Sequence, residues 1–315
     1  MFTVRFDWLQ GKIFVSTVAD LEQFLDELAE NANDNWGLTG KSFSCGQLFR
    51  QGFKSVCGFV GGYNIKEDGV EGIIQIQGRL LTAVDQQSMI QFLLEFGMKF
   101  TRCDIALDDY DKRVTFDEVR YLGISGYYRL LDTFKYVESC LIKGSTPAPT
   151  CYFGSSDKII RFYDAEFVHG IAANRWELQL RGLNAQYVID EYLVDQSCLA
   201  AFVVGAIDFG HFVNSSFDSF KRLLWWQSLI REVRAEPRKI PSDRLKPDIM
   251  RSANWIREQA GVVLAVLKLG LEDEFEQWMR EVCLDGQSRF RDYHREQVNF
   301  LRSGKYETKS LYLGG

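Results

Sequence analysis

Three segments of the chain, 101–109 (TRCDIALDD), 158–163 (KIIRFY) and 174–181 (NRWELQLR), alternate apolar with polar residues. A strand sends successive side chains to opposite faces, so this alternation fits a sheet with one buried and one polar face. By that parity Arg102, Asp104 and Asp108 share a face, with Cys103, Ile105 and Leu107 on the other. Arg161 and Tyr163 stand opposite Ile160 and Phe162, and Arg175, Glu177, Gln179 and Arg181 stand opposite Trp176, Leu178 and Leu180. If the apolar faces share one core, the polar faces converge. They would gather carboxylates, several arginines and a phenol on an open sheet, an arrangement suited to metal-assisted phosphoryl chemistry.

A chain of 315 residues can form one large domain or two smaller ones, and 46% hydrophobic with 25% charged residues is an ordinary globular composition. The net charge of -6 argues against a protein that coats nucleic acid indiscriminately, while leaving room for a local basic face. Cys45, Cys57, Cys103, Cys140, Cys151, Cys198 and Cys283 are odd in number and scattered, without a Cys-x-x-Cys pair. Buried, reduced thiols are expected, rather than a disulfide framework or a zinc site. The first residues contain no unbroken apolar signal core, and the most apolar stretch, 262–271, is short and interrupted by Lys268. A cytoplasmic protein without a membrane partner is the expectation.

Residues 2–8 alternate through Phe2, Val4, Phe6 and Trp8, which predicts a strand, and Leu21, Phe24, Leu25 and Leu28 have helical spacing. Segments 56–65 and 71–78 predict two strands of a hairpin turning at 66–69, followed by a helix over 82–96 that stops at Gly97. Thr115 and Glu118 form a capping box, and 134–142 and 151–154 read as strands before the two polar-faced segments. Beyond about residue 184 the pattern becomes helical. The expected architecture is α+β: an antiparallel-rich central sheet with helices packed on one face (1–190), followed by a mainly helical C-terminal region (191–315).

Residues 221–251 carry nine Lys or Arg against four Asp or Glu, a net charge of +5 inside an acidic chain. This basic connector is either a solvated helical face or a phosphate-gripping surface using Arg231, Arg234, Arg238 and Lys239. Trp225, Trp226 and Trp255 are expected to pack in a core rather than to stack bases. Residues 37–42 (GLTGKS) mimic the end of a phosphate loop, but Asn35 takes the place of its first glycine, so an exposed loop is expected. His169, His211 and His294 form no His-x-His pair and predict no histidine-ligated metal, although His169 lies six residues after Tyr163. No serine or cysteine occupies a recognisable nucleophile elbow.

The order Arg-x-Asp-x-Ala-x-Asp-Asp at 102–109, Tyr-Phe-Gly-Ser with Arg-Phe-Tyr-Asp at 152–164, and Arg-x-Glu-Leu at 175–178 resembles the rolling-circle plasmid initiators of the replication initiation factor family. The resemblance covers about residues 60–190, and its motifs are specific as a set. It implies that Tyr163 nicks one DNA strand at a replicon origin, that Asp104 and Glu177 hold Mg2+ or Mn2+, and that Asp108 is a weaker metal candidate. Arg161 and Arg175 would assist at the phosphate, with Lys158 and Arg181 binding DNA. It further implies origin DNA, single-stranded or extruded as a hairpin, as the partner, with a host helicase, a polymerase and a homodimer as further associations. Two positions depart from the family pattern: Ala165 replaces the lysine after Tyr-Asp, and Val168 replaces a glutamate, although Glu166 lies nearby. Either Arg161, Arg175 or Lys158 would then supply the missing positive charge, or the chain would be a weak nicking enzyme.

A phenol with a reference pKa of about 10 needs a base, a cation or a metal before it attacks a phosphodiester at neutral pH. The expected products are a 5'-phosphotyrosyl link and a 3'-hydroxyl primer. Two other functions use the same residues differently. A noncatalytic origin-binding regulator would use Tyr163 for stacking, and a metal-dependent nuclease would attack with water instead.

Overall fold

The long first strand β1 (Phe2–Val15) lies near the middle of a ten-stranded sheet, because both of its edges are paired. The computed structural model describes residues 1–56, 58–138, 149–212, 220–234, 236–240, 256–289, 295, 298–299 and 301–302. After β1 come α1 (Val18–Asn31), β2 (Trp36–Leu38), the small ladder β3 (Phe43–Ser44) with β4 (Leu48–Phe49), β5 (Gln51–Ser55), β6 (Phe59–Lys66) and β7 (Gly69–Gln77). The chain continues through α2 (Gly78–Leu81), α3 (Gln86–Glu95), β8 (Lys99–Asp109), α4 (Phe116–Ile124), β9 (Tyr128–Arg129) and β10 (Phe134–Val137). Then follow β11 (Thr150–Ser155), β12 (Lys158–Asp164), α5 (Ala165–His169), β13 (Asn174–Arg181), α6 (Leu183–Val194), α7 (Cys198–Ala206), β14 (Asp208–Phe212), β15 (Phe220–Arg222) and α8 (Leu224–Val233).

Local chemistry sets several of these boundaries. Thr17 and Asp20 form a reciprocal capping box at α1, whose Leu21, Phe24, Leu25 and Leu28 are buried at the expected spacing. Thr115 and Glu118 cap α4 in the same way. Gly97 adopts a φ of 77° just after α3, as a helix stop requires. The hairpin glycine Gly154 has a φ of 86°, and a Cβ there would meet the Lys158 carbonyl oxygen at 2.4 Å. That glycine lets β11 turn tightly into β12.

The sheet order is β10-β11-β12-β13-β8-β1-β7-β6-β5-β2, with each pairing antiparallel. The three alternating segments are therefore the adjacent strands β12, β13 and β8. Their apolar residues Phe162, Trp176, Leu178, Ile105 and Leu107 are all fully buried. The helices cover this face. Cys103 meets the backbone of α6, with Sγ 3.9 Å from the Ala185 oxygen, the Phe6 and Tyr192 rings lie 5.0 Å apart, and Trp176 packs 5.4 Å from Trp226 of α8.

The chain divides into two units, Met1–Pro241 and Ser242–Gly315. The boundary read from the sequence near residue 190 thus falls inside the first unit, because α6, α7 and α8 contribute buried residues to the sheet's core. In the second unit, helices Gly261–Leu271 and Phe275–Ser288 are present, and Val262, Val263, Val266 and Leu269 are exposed. Of the cysteines, Cys103, Cys151 and Cys198 are buried, whereas Cys283 is exposed and Cys45 is part-exposed. Cys57, Cys140, Trp255, His294 and the expected strand beyond 138 lie outside the described residues.

Candidate active site

The antiparallel register carries the polar residues of three strands onto one patch. Arg161 of β12 stands opposite Glu177 of β13, Tyr163 opposite Arg175, and Arg175 in turn opposite Asp108 of β8. Asp104 of β8 stands opposite Gln179 on one side and Trp8 of β1 on the other. Directly opposed residues share a face, so Asp104, Asp108, Arg161, Tyr163, Arg175 and Glu177 meet there.

The patch is not the open polar sheet that alternation suggested. Asp104 is 1% exposed, Asp108 0%, Arg175 1% and Glu177 5%. Buried charges persist only when paired, and here the pairing is dense. Arg175 forks onto Asp108 through Nε at 2.6 Å and Nη2 at 3.0 Å, while Arg5 reaches the same carboxylate at 3.0 Å. Arg102 forks onto Asp104 at 2.8 and 2.5 Å, with its guanidinium 5.2 Å from the Trp8 ring centre. Arg161 Nη2 donates to Asp104 Oδ2 at 2.7 Å and also to Glu177 Oε1.

Tyr163 lies at the edge of this network. Its hydroxyl donates to Glu177 Oε2 at 2.8 Å and lies 3.2 Å from His169 Nε2 at the end of α5. Burial, and then the Glu177 charge, raise the phenol's pKa above its ordinary value. Burial pushes the Glu177 carboxyl up to about 7 against the pull of Arg161, and burial with the Arg175 charge holds the His169 imidazole below its usual value. A resting phenol and a neutral imidazole follow. Any attack by Tyr163 must therefore begin by moving its proton along one of these two hydrogen bonds.

Asp104 and Glu177 also fit a divalent cation. Each turns one oxygen towards the same Arg161 nitrogen, so their donor atoms converge on a point that demands positive charge. Carboxylate oxygen is the donor class of Mg2+ and Mn2+. Among the described residues no group of three or more His, Cys, Asp or Glu is placed to hold a metal, so two carboxylates would be the protein's share of the site. Asp108 suits that role less, since it is fully buried and forked by Arg175, itself 1% exposed, whereas Asp104 shares the part-exposed Arg161 with a second carboxylate.

The other candidates scatter. Lys158 pairs with Leu180 and so belongs to the apolar parity, where burial lowers its pKa. It does not join Arg161. Arg181 is exposed at the far end of the polar face opposite Arg102. Arg231, Arg234 and Lys239 are exposed, but Arg238 holds Glu191 at 2.9 Å and Asp195 at 2.7 Å and is occupied within the fold. The basic connector's residues 241–251 lie outside the described residues.

Arg5, Asp7 and Trp8 also belong to this site, Asp7 Oδ2 lying 3.4 Å from Arg175 Nη1, and no sequence pattern marks them. Alternation grouped Trp8 with Phe6, but β1 shifts register between these residues, which turns Trp8 to the polar face beside Asp104. The His169 contact had one signal, its distance of six residues from Tyr163, because a one-turn helix after the strand can fold back onto the strand's last residue.

Residues 98–283 match the family model described as replication initiation factor. The fold is similar to a solved structure of a rolling circle replication initiator protein from Geobacillus stearothermophilus, with a TM-score of 0.58 and 19% identity over 76% of this chain and 99% of that one. No curated protein sequence matches the chain. Among the described residues no helix is long and apolar enough to cross a membrane.

Proposed function

The chain belongs to the replication initiation factor family, and from that premise we propose that it starts rolling-circle replication by nicking one strand of origin DNA with Tyr163. One observation carries this reading: the Tyr163 hydroxyl touches Glu177, whose other oxygen shares Arg161 with Asp104. A phenol, the carboxylate that accepts its hydrogen bond, an imidazole and a guanidinium thus occupy one patch, which supports this reading.

The phenolic oxygen attacks the phosphorus, forming the Tyr163 O–P bond as the P–O3' bond breaks. The phenolic proton leaves along the hydrogen bond to Glu177 Oε2 or to His169 Nε2, and the departing O3' takes up a proton to become a 3'-hydroxyl. Arg161, about a quarter exposed and two residues before Tyr163, is a cation beside the phenol that an incoming phosphate can reach. Arg175 stays locked on Asp108 and holds the strand on which Glu177 sits. A divalent cation bound by Asp104 and Glu177 would neutralise charge on a nonbridging phosphate oxygen. A polymerase extends the 3'-hydroxyl, and the phosphotyrosyl bond conserves the energy for later strand closure.

A test uses an origin oligonucleotide labelled on the 3' side of the nick, incubated with protein and Mn2+. The label should migrate with the protein on a denaturing gel, and the released fragment should prime a polymerase. Tyr163→Phe should bind the oligonucleotide and form no adduct. Cutting by Tyr163→Phe without adduct would identify water as the nucleophile, and binding without cutting by the wild type would identify a regulator.

A further inference from the structure

Two of the four arginines of this site, Arg161 and Arg175, are held very differently. Arg175 is 1% exposed and forks onto Asp108 through Nε and Nη2, a geometry that uses the planar guanidinium fully. Arg161 has a side chain 26% exposed, and a single nitrogen, Nη2, serves both Asp104 and Glu177. Its Nε is buried and makes no hydrogen bond. Arg161 is thus held more loosely than Arg175, and it is the arginine that bridges Asp104 and Glu177. We propose that its guanidinium is a tethered counter-ion that keeps a divalent cation out of the Asp104–Glu177 pair until a DNA phosphate draws it away, a role that rests on this face being the nicking centre.

Charge counting gives the mechanism. With Glu177 ionised, it and Asp104 contribute two negative charges, and Arg102 and Arg161 contribute two positive ones, so the cluster is neutral. A divalent cation entering beside Arg161 leaves two surplus positive charges in a largely buried site, and such a surplus is costly. Each phosphodiester that docks removes one of them. Arg161 itself can follow the phosphate, because a guanidinium binds phosphate in the same forked way as it binds carboxylate. Its departure frees Glu177 Oε1 and removes one of the two guanidinium contacts to Asp104 Oδ2, while Arg102 continues to orient Asp104 through both oxygens. Cation binding and strand binding then assist each other, and by linkage the assistance is reciprocal.

The experiment is a Mn2+ titration of the full chain, followed by the electron paramagnetic resonance signal of free Mn2+, with and without a short single-stranded DNA oligonucleotide. A titration of the oligonucleotide alone is subtracted. The wild type should bind Mn2+ weakly by itself and about tenfold more tightly with the oligonucleotide, the size of an ordinary coupling. Arg161→Gln should bind Mn2+ without DNA about as tightly as the wild type does with it, and the double variant with Glu177→Gln should lose that binding. Arg161→Lys retains the charge and should keep the dependence on DNA, which guards against misfolding of the glutamine variant. Equal Mn2+ affinity of the wild type with and without DNA would overturn the proposal, as would an Arg161→Gln affinity no higher than that of the free wild type. Persistence of Mn2+ binding in the double variant would also overturn it. No strand is scored for cleavage in these titrations, so they stand or fall separately from the Tyr163 adduct.

Discussion

At the scale of residues, parity in the sequence brings Asp104, Arg161, Tyr163 and Glu177 to one face, and the structure places them in mutual contact. It does not reveal that the face is buried, because alternation reports which side a residue takes and not what lies over it. Asp108 illustrates the consequence. It resembles a metal ligand in the pattern, yet it neutralises Arg175 and Arg5. Asp108→Ala should therefore cost about 3–5 kcal/mol of stability by stranding a buried guanidinium, measurable by chemical denaturation. A variant that cuts poorly but unfolds at the wild-type midpoint would return Asp108 to the catalytic set. Glu177 gives a pH signature. Its folded pKa of about 7 lies above the ordinary 4.5, so its contribution is fully present below 4.5 and is lost as the pH rises through 7. Between those values the wild type should lose more melting temperature than Glu177→Gln, and parallel curves would contradict this origin.

Among the elements, those with a strong local signal were legible. Both ends of the hairpin from β6 to β7 are close to where the sequence puts them, and the α4 capping box forms as expected. The helix expected over 82–96 starts later, at Gln86, because Asp85 caps it by accepting from the Ser88 N–H at 2.8 Å. The β1 irregularity between Phe6 and Trp8 was not legible, since a bulge leaves the apolar spacing of the strand intact while exchanging its faces. The basic segment divides along the same lines. Neutralising Arg231, Arg234 and Lys239 together should weaken origin binding and reduce the salt dependence by up to about three counterions' worth. Arg238→Ala should instead lower the melting temperature, because Arg238 joins Glu191 of α6 to Asp195. A salt slope unchanged in the triple variant would assign this stretch to folding.

For the whole molecule, sequence order and spatial order differ in a way that makes the site. β8 precedes β12 and β13 in the chain, yet β13 stands between them in the sheet, so the carboxylates of β8 and the tyrosine of β12 face each other across Arg175 and Glu177. Local patterns identify the strands; long-range pairing decides which become neighbours, and only the set of motifs hinted at that. The core beneath is continuous with the site: Trp176, fully buried and in contact with Phe162, Phe209 and Trp226, backs the strand that carries Arg175 and Glu177. Trp176→Ala should cost about 3–5 kcal/mol, and a cost under about 1 kcal/mol would mean that the core does not hold this strand. Every step proposed for this site turns on Tyr163 as the nucleophile. The direct measurement is mass spectrometry of the nuclease-trimmed, proteolysed adduct formed with origin DNA and Mn2+: a nucleotide linked through phosphate to Tyr163 is expected, and a link at Tyr110, Tyr152 or Tyr187 would make another tyrosine the nucleophile.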